Sequence, residues 1–216
     1  MALTTRTFIA LVISFAILGL SAGTADAKHS RGKCKARGDT IAKNDTGRVY
    51  ETSNGDATTL WGCTWSRNRP FEMEMAAGDD FVTFESYDDV MLRGRFVAWT
   101  FTREDVSCKA DCPPGYDATT EYVRTFDMRT GDENSETSDP AAGTLRLNTR
   151  GSLAWLTAAG AGNQDVHAWD GAGHRTLDTG QIGKFRLRGA TLSWVNGGDV
   201  GRRETLSGSA ASAAVR

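Results

Sequence analysis

The chain has 216 residues, with 25 basic against 27 acidic side chains and a pI near 5.9. That balance argues against a general nucleic-acid or polyanion binder, which would want a basic surface. The composition is that of an ordinary soluble protein, 39% hydrophobic and 24% charged. Its 24 glycines exceed the ~7% average share and ask for many tight turns.

At the N-terminus, Arg6 precedes an apolar run from Phe8 to Leu20, too short to span a membrane. Ala25-Asp26-Ala27 supplies the small-x-small pattern of a signal peptidase site, so residues 1–27 read as a signal peptide cleaved before Lys28. An uncleaved anchor is the alternative. Leu20-Ser21-Ala22-Gly23 opens like a lipoprotein signal, but Thr24 stands where the acylated cysteine belongs. The expected product is secreted or extracytoplasmic, with no membrane insertion after cleavage.

Export changes the reading of the four cysteines, because thiols outside the cytoplasm oxidise. Of three possible pairings, Cys108 with Cys112 closes a small loop and leaves Cys34 to pair with Cys63. A four-thiolate zinc site would want two short Cys-x2-Cys pairs, and only one short pair exists, with a spacing of three.

From Lys28 onward helical periodicity is nearly absent, whereas short alternating or β-branched and aromatic segments recur between Gly, Asn and Asp turns. In chain order they include residues 40–42, 48–51, 81–84, 96–101, 122–126, 145–147, 153–156, 165–169, 185–187 and 191–195. An all-β domain over residues 28–206 follows, with the Ser/Ala-rich residues 207–216 expected as a disordered tail.

The segments repeat. Residues 90–99, Val-Met-Leu-Arg-Gly-Arg-Phe-Val-Ala-Trp, match residues 185–194, Phe-Arg-Leu-Arg-Gly-Ala-Thr-Leu-Ser-Trp, position for position. Between them Leu145-Arg146-Leu147 leads through Arg150-Gly151-Ser152 to Leu153-Ala154-Trp155. A second phrase follows two of the copies: residues 123–127 with Gly131, and residues 166–170 with Gly173. Residues 175–178 add a fourth strand.

Four-stranded units of this size describe a propeller blade better than a sandwich hairpin. The expected fold is a small or incomplete β-propeller of about four blades of four-stranded antiparallel sheets. The third copy runs short after Trp194, so the N-terminal segments should supply the fourth blade and close the ring against the C-terminal strand. The alternatives are an open half-propeller that forms a homodimer, or a sandwich.

The stretch from Leu145 to Asp178, with Arg150-Gly151-Ser152-Leu153-Ala154-Trp155, Val166-His167-Ala168-Trp169-Asp170 and Arg175-Thr176-Leu177, resembles one WD40-like repeat of the TolB-type β-propeller family. The family's Ser-Pro-Asp-Gly turn is replaced here by Asn148-Thr149-Arg150-Gly151. The resemblance implies a bladed, secreted or periplasmic scaffold of the kind used in protein and ligand binding. The chain also resembles uncharacterised secreted bacterial proteins of similar length, a likeness that implies no chemistry.

Chemistry-bearing motifs are sparse. His167 and His174 flank a turn and, with Asp165 or Asp170, suggest a metal site, but such a site needs three or four converging ligands and hairpin structure accounts for all of them. No cofactor or metal is expected. The acidic run Asp132 to Asp139 reads as a solvated loop, since it lacks the glycine and distal glutamate of a calcium loop. The sequence has no Gly-x-Ser-x-Gly elbow, phosphate loop or dinucleotide fingerprint.

Asn44-Asp45-Thr46 is a glycosylation sequon. Of six tryptophans, Trp99, Trp155 and Trp194 share one place in the repeat and belong to the core. Trp65, with Arg67 and Arg69, is the candidate exposed contact for a protein or glycan ligand. A non-catalytic secreted binding or scaffolding module is the leading expectation. A secreted hydrolase acting on glycans through loop carboxylates is the alternative.

Overall fold

A computed structural model describes residue 34 and residues 38–79, 83–105, 118–138, 141–198 and 200–212. The signal-peptide expectation and the Cys108–Cys112 pair lie outside the described residues.

The protein is all-β, built from four antiparallel sheets that follow one another along the chain. Sheet A holds β1 (Asp39–Lys43), β2 (Gly47–Asn54), β3 (Ala57–Thr64) and β4 (Pro70–Asp79). Sheet B holds β5 (Thr83–Arg93), β6 (Phe96–Asp105), β7 (Thr119–Asp127) and β8 (Asp132–Thr137). A short ladder, Gly78 with Phe84 and Asp79 with Thr83, joins it to sheet A. Sheet C holds β9 (Arg146–Leu147), β10 (Leu153–Gly160), β11 (Asn163–Asp170) and β12 (Gly173–Gly180); sheet D holds β13 (Ile182–Arg188), β14 (Thr191–Asn196) and β15 (Val200–Thr205). Each sheet is a simple up-and-down meander of sequential strands.

Alternation along the second strand of each sheet sends successive side chains to opposite faces, and the core forms as layers between consecutive sheets. Val49, Leu60 and Met73 of sheet A pack on Val97, Trp99 and Phe101 of sheet B. The other face of β6, Phe96 and Ala98, meets Leu153 and Trp155 of sheet C. Ala154 and Leu156 then meet Leu192 and Trp194 of sheet D. Trp99, Trp155 and Trp194 each lie on a second strand, at most 5% exposed, and each faces the preceding sheet together with the residue two before it.

Tyr50 takes the corresponding place on β2. Its cluster is made with Cys34, Cys63, Trp61 and Trp65. The Cys34–Cys63 disulfide is present and closes a 29-residue separation, a loop whose closure is worth roughly 3–4 kcal/mol in the chain-entropy account.

The turns between first and second strands alternate in type. In sheets B and D a glycine at positive φ, Gly94 and Gly189, makes the tight turn that a Cβ would strain. In sheets A and C an asparagine side chain holds the turn: Asn44 Oδ1 accepts from the Thr46 and Gly47 N–H groups, and Asn148 Oδ1 from those of Arg150 and Ser152. Each asparagine Nδ2 then donates across to the next sheet, Asn44 to the Gly94 carbonyl and Asn148 to the Gly189 carbonyl, both at 2.9 Å. Sheets A and B, and sheets C and D, are therefore fastened as pairs. The nitrogen that glycosylation of the sequon would modify is used internally.

Three expectations need correction. Asp132 to Thr137, read as a loop, is β8, because its residues alternate across a ladder with β7. The C-terminal strand does not pair with the N-terminal segments: β15 pairs with β14 and β1 with β2. After β15 the chain crosses sheet C instead, and residues 207–212 are not a free tail. Ala210–Ser212 form a 3-10 turn whose first two residues are buried. Ser207 N–H donates to Asp170, Ser152 Oγ to the Gly208 carbonyl and Ala210 N–H to the Gly151 carbonyl. Small side chains let this segment wedge into the layer between sheets B and C, where Ala210 joins the apolar cluster.

Candidate functional site

Trp65 lies on the loop after β3, half-buried against the Cys34–Cys63 cluster. Its indole N–H donates to the Asn44 carbonyl at 3.0 Å, and the Lys43 ammonium sits 6.0 Å from the ring centroid. Arg67 and Arg69 are exposed on the same loop, the Arg69 guanidinium 5.8 Å from the Phe71 ring. Cys34 N–H donates to the Asn68 side chain, which ties the disulfide to this loop. Trp65 is thus largely spent on structure, and the expectation of an exposed aromatic contact is reduced to a half-buried ring beside Lys43, on a loop that also carries Arg67 and Arg69.

The layer between sheets B and C gathers more chemistry. On β11 and β12, cross-strand pairing sets Trp169 opposite His174 and His167 opposite Thr176. Both imidazoles stack on Trp155, His167 with centroids 5.1 Å apart and His174 at 5.0 Å. Thr157 Oγ1 lies 2.9 Å from His167 Nε2, His167 Nδ1 lies 3.1 Å from His174 Nε2, and His174 Nδ1 lies 3.1 Å from Glu136 on β8.

One proton order satisfies every link. The Thr157 hydroxyl donates to His167, His167 donates to His174, and His174 donates to the Glu136 carboxylate, an assignment made from the network. Burial, then the neighbouring His174, lowers the pKa of His167, against an opposing pull from Asp165. The neutral imidazole that results fits that order. The chain of bonds is a line rather than a convergent shell. Among the described residues no group of three His, Cys, Asp or Glu is placed to hold a metal ion.

Trp155 is the exception among the three equivalent indoles. Trp99 Nε1 donates to Glu74 on β4 at 3.3 Å and Trp194 Nε1 to Asp178 on β12 at 2.7 Å, in each case a carboxylate on the last strand of the preceding sheet. Burial raises the pKa of Glu74, with Arg124 and the Trp99 bond opposing it. Burial also pushes Asp178 upward, but its bonds from Trp194, Asn196 and Thr179 outweigh that and hold it below the usual range. Trp155 Nε1 is buried and has no acceptor among the described residues, while Glu136 on the last strand of sheet B is turned to His174.

At the first-strand end of the same layer lies an open cavity of about 620 Å³ lined by Asp89, Val90 and Met91 of β5 and by residues 143–146 leading into β9. A register shift between Asp88 and Met91, with Asp89 at φ 51°, marks a bulge in β5 at this wall. Beside it Glu121 on β7 accepts the Ala142 N–H. Burial raises the Glu121 pKa, the Ala142 bond opposes this, and the negative charges of Asp89 and Asp88 add to the rise.

Sequence reasoning found the two histidines and assigned Trp155 to the core. It missed Glu136, Thr157 and the cavity, because their partners come from another sheet or another strand. No helix among the described residues is long and apolar enough to cross a membrane. No family model matches the chain, and it matches no curated protein and no solved structure.

Proposed function

We propose that the protein is an extracytoplasmic, non-catalytic β-propeller-like module of four blades, left open between its first and last sheets, that binds a protein or glycan ligand in the cavity between β5 and β9. The observation that carries this reading is the cavity itself. It lies in the one layer that neither the asparagine turns nor the indole–carboxylate bonds fasten, and its walls offer main-chain edges with Asp89 and Arg146 as charged groups. An open, polar groove on a rigid stack suits ligand binding more than enclosure of a reaction. The Cys34–Cys63 disulfide supports an oxidising compartment.

The test is retention of the protein on an array of glycans and peptides, compared with Thr144→Trp, an exposed lining position where the indole would fill the mouth, and with Arg146→Ala. Both variants should lower affinity for a retained ligand about tenfold or more, the equivalent of ~1.4 kcal/mol. Equal retention by both variants would remove the cavity from consideration.

A second reading, a glycan hydrolase, is favoured by one feature. Glu121 is pushed toward the protonated form by burial and by Asp88 and Asp89, as a general acid requires. Release of shortened sugars by the wild type but not by Glu121→Gln would establish it in place of simple binding.

A further inference from the structure

Sheet D ends the stack, and its two faces differ. Phe185, Leu192 and Trp194 point inward to sheet C. On the outward face the register places Arg186, Ser193 and Arg203 in one row across β13, β14 and β15, with Arg188 opposite Thr191 and Thr205 in the row beside it. Arg186, Arg188 and Arg203 are exposed, and among the described residues none makes an ion pair or a hydrogen bond.

The inward-facing charges, by contrast, are engaged: Arg175 reaches Asp170 at 2.8 Å and Glu204 at 3.4 Å, and Arg202 lies 4.0 Å from Asp178. Lys184, Arg186, Ser193, Gly201 and Arg203 line a shallow depression of about 220 Å³, to which Trp194, Val195 and the inward-facing Arg202 also contribute atoms. A side chain at Gly201 would meet nothing within 4 Å.

We propose that this outward face of sheet D is a docking surface for an acidic polysaccharide. Positions i and i+2 on a strand put Arg186 and Arg188 about 7 Å apart, and Arg203 lies two strands away at about 10 Å. Cations so spaced suit anionic groups repeated along an extended chain. The flanking hydroxyls of Thr191, Ser193 and Thr205 suit sugar hydroxyls, and the depression takes one ring. Among the described residues the outward rows carry Arg, Ser and Thr side chains, with Val195 opposite Gly201, and this is too little apolar surface to enter a bilayer or to form the apolar centre of a protein interface.

The overall charge of −2 opposes wrapping of a long nucleic acid and leaves attraction confined to this sheet. The inference goes beyond the binding-module reading: it names a ligand class at a surface separate from the β5–β9 cavity.

The test is sedimentation or calorimetric titration with dextran sulfate and polygalacturonate, and with neutral dextran, phosphatidylglycerol vesicles and duplex DNA as further arms. Wild type should bind the two acidic polysaccharides, with affinity falling as salt rises. Arg186→Thr with Arg203→Thr should lower that affinity about tenfold or more while leaving the melting curve unchanged. Gly201→Leu, which keeps every charge and fills the depression, should weaken binding as well.

Thr144→Trp in the cavity should leave it intact, so that failure at sheet D and failure at the cavity are read separately. Absence of binding to both acidic polysaccharides, undiminished binding by the double variant or by Gly201→Leu, or stronger binding to vesicles or DNA would overturn the proposal.

Discussion

The layers between sheets A and B and between sheets C and D are built alike, whereas the layer between B and C is not. In the first two, an asparagine from one turn reaches the glycine carbonyl of the next, and a carboxylate on the preceding sheet accepts the indole N–H of the following one. In the middle layer those roles are unfilled among the described residues. A histidine pair, the C-terminal wedge and an open cavity occupy the corresponding space. The chain is thus two fastened pairs of sheets joined by a differently built seam, and chemistry collects where the fastening stops.

Common to all three layers is the buried tryptophan, so the largest expected effect does not distinguish them. Trp99→Ala, Trp155→Ala and Trp194→Ala should each cost about 3–5 kcal/mol in denaturant unfolding, a large part of a marginal domain's stability. Trp65→Ala, at a half-buried ring, should cost clearly less. A Trp155→Ala protein that unfolds like wild type would break the equivalence of the three layers.

A smaller effect separates the middle seam. The folded-state pKa of His167 lies below its ordinary 6.5, so between those values the unfolded chain binds more protons than the folded one. Stability from the neutral imidazole is therefore fully present above pH 6.5 and declines as pH falls through 6.5 toward the folded value. His167→Gln should flatten this part of the melting-temperature profile between pH 7 and pH 5. An unchanged slope would assign the acid response to other groups.

The sequence made the tryptophan positions legible because strand–turn–strand phrases repeat within a single sheet, where neighbours are close along the chain. What lay between sheets was harder to see. The asparagine fastening did leave a trace, since Asn44-Asp45-Thr46-Gly47 and Asn148-Thr149-Arg150-Gly151 share Asn-x-x-Gly spacing, but nothing in either turn names Gly94 or Gly189 as the partner.

Nothing in the sequence marks Glu74 or Asp178 as an acceptor until the next sheet brings an indole N–H to it. Glu136 sat inside a run whose charge suggested a loop, while cross-strand pairing with Val123 makes it a strand residue facing His174. Residues 207–212 have the small side chains of a flexible tail, and those same side chains fit a narrow gap. The charge count hid sheet D, because a sum over the chain says nothing about Arg186, Arg188 and Arg203 sharing one face.

The claim that the middle layer lacks the fastening of the other two is tested most directly by paired double-mutant cycles in denaturant unfolding. One cycle combines Trp194→Phe with Asp178→Asn, the other Trp155→Phe with Glu136→Gln. A hydrogen bond to a charged acceptor predicts a coupling of about 1.5–3 kcal/mol in the first cycle. The orphaned Trp155 indole N–H predicts a coupling near zero in the second. Equal coupling in the two cycles would contradict the account.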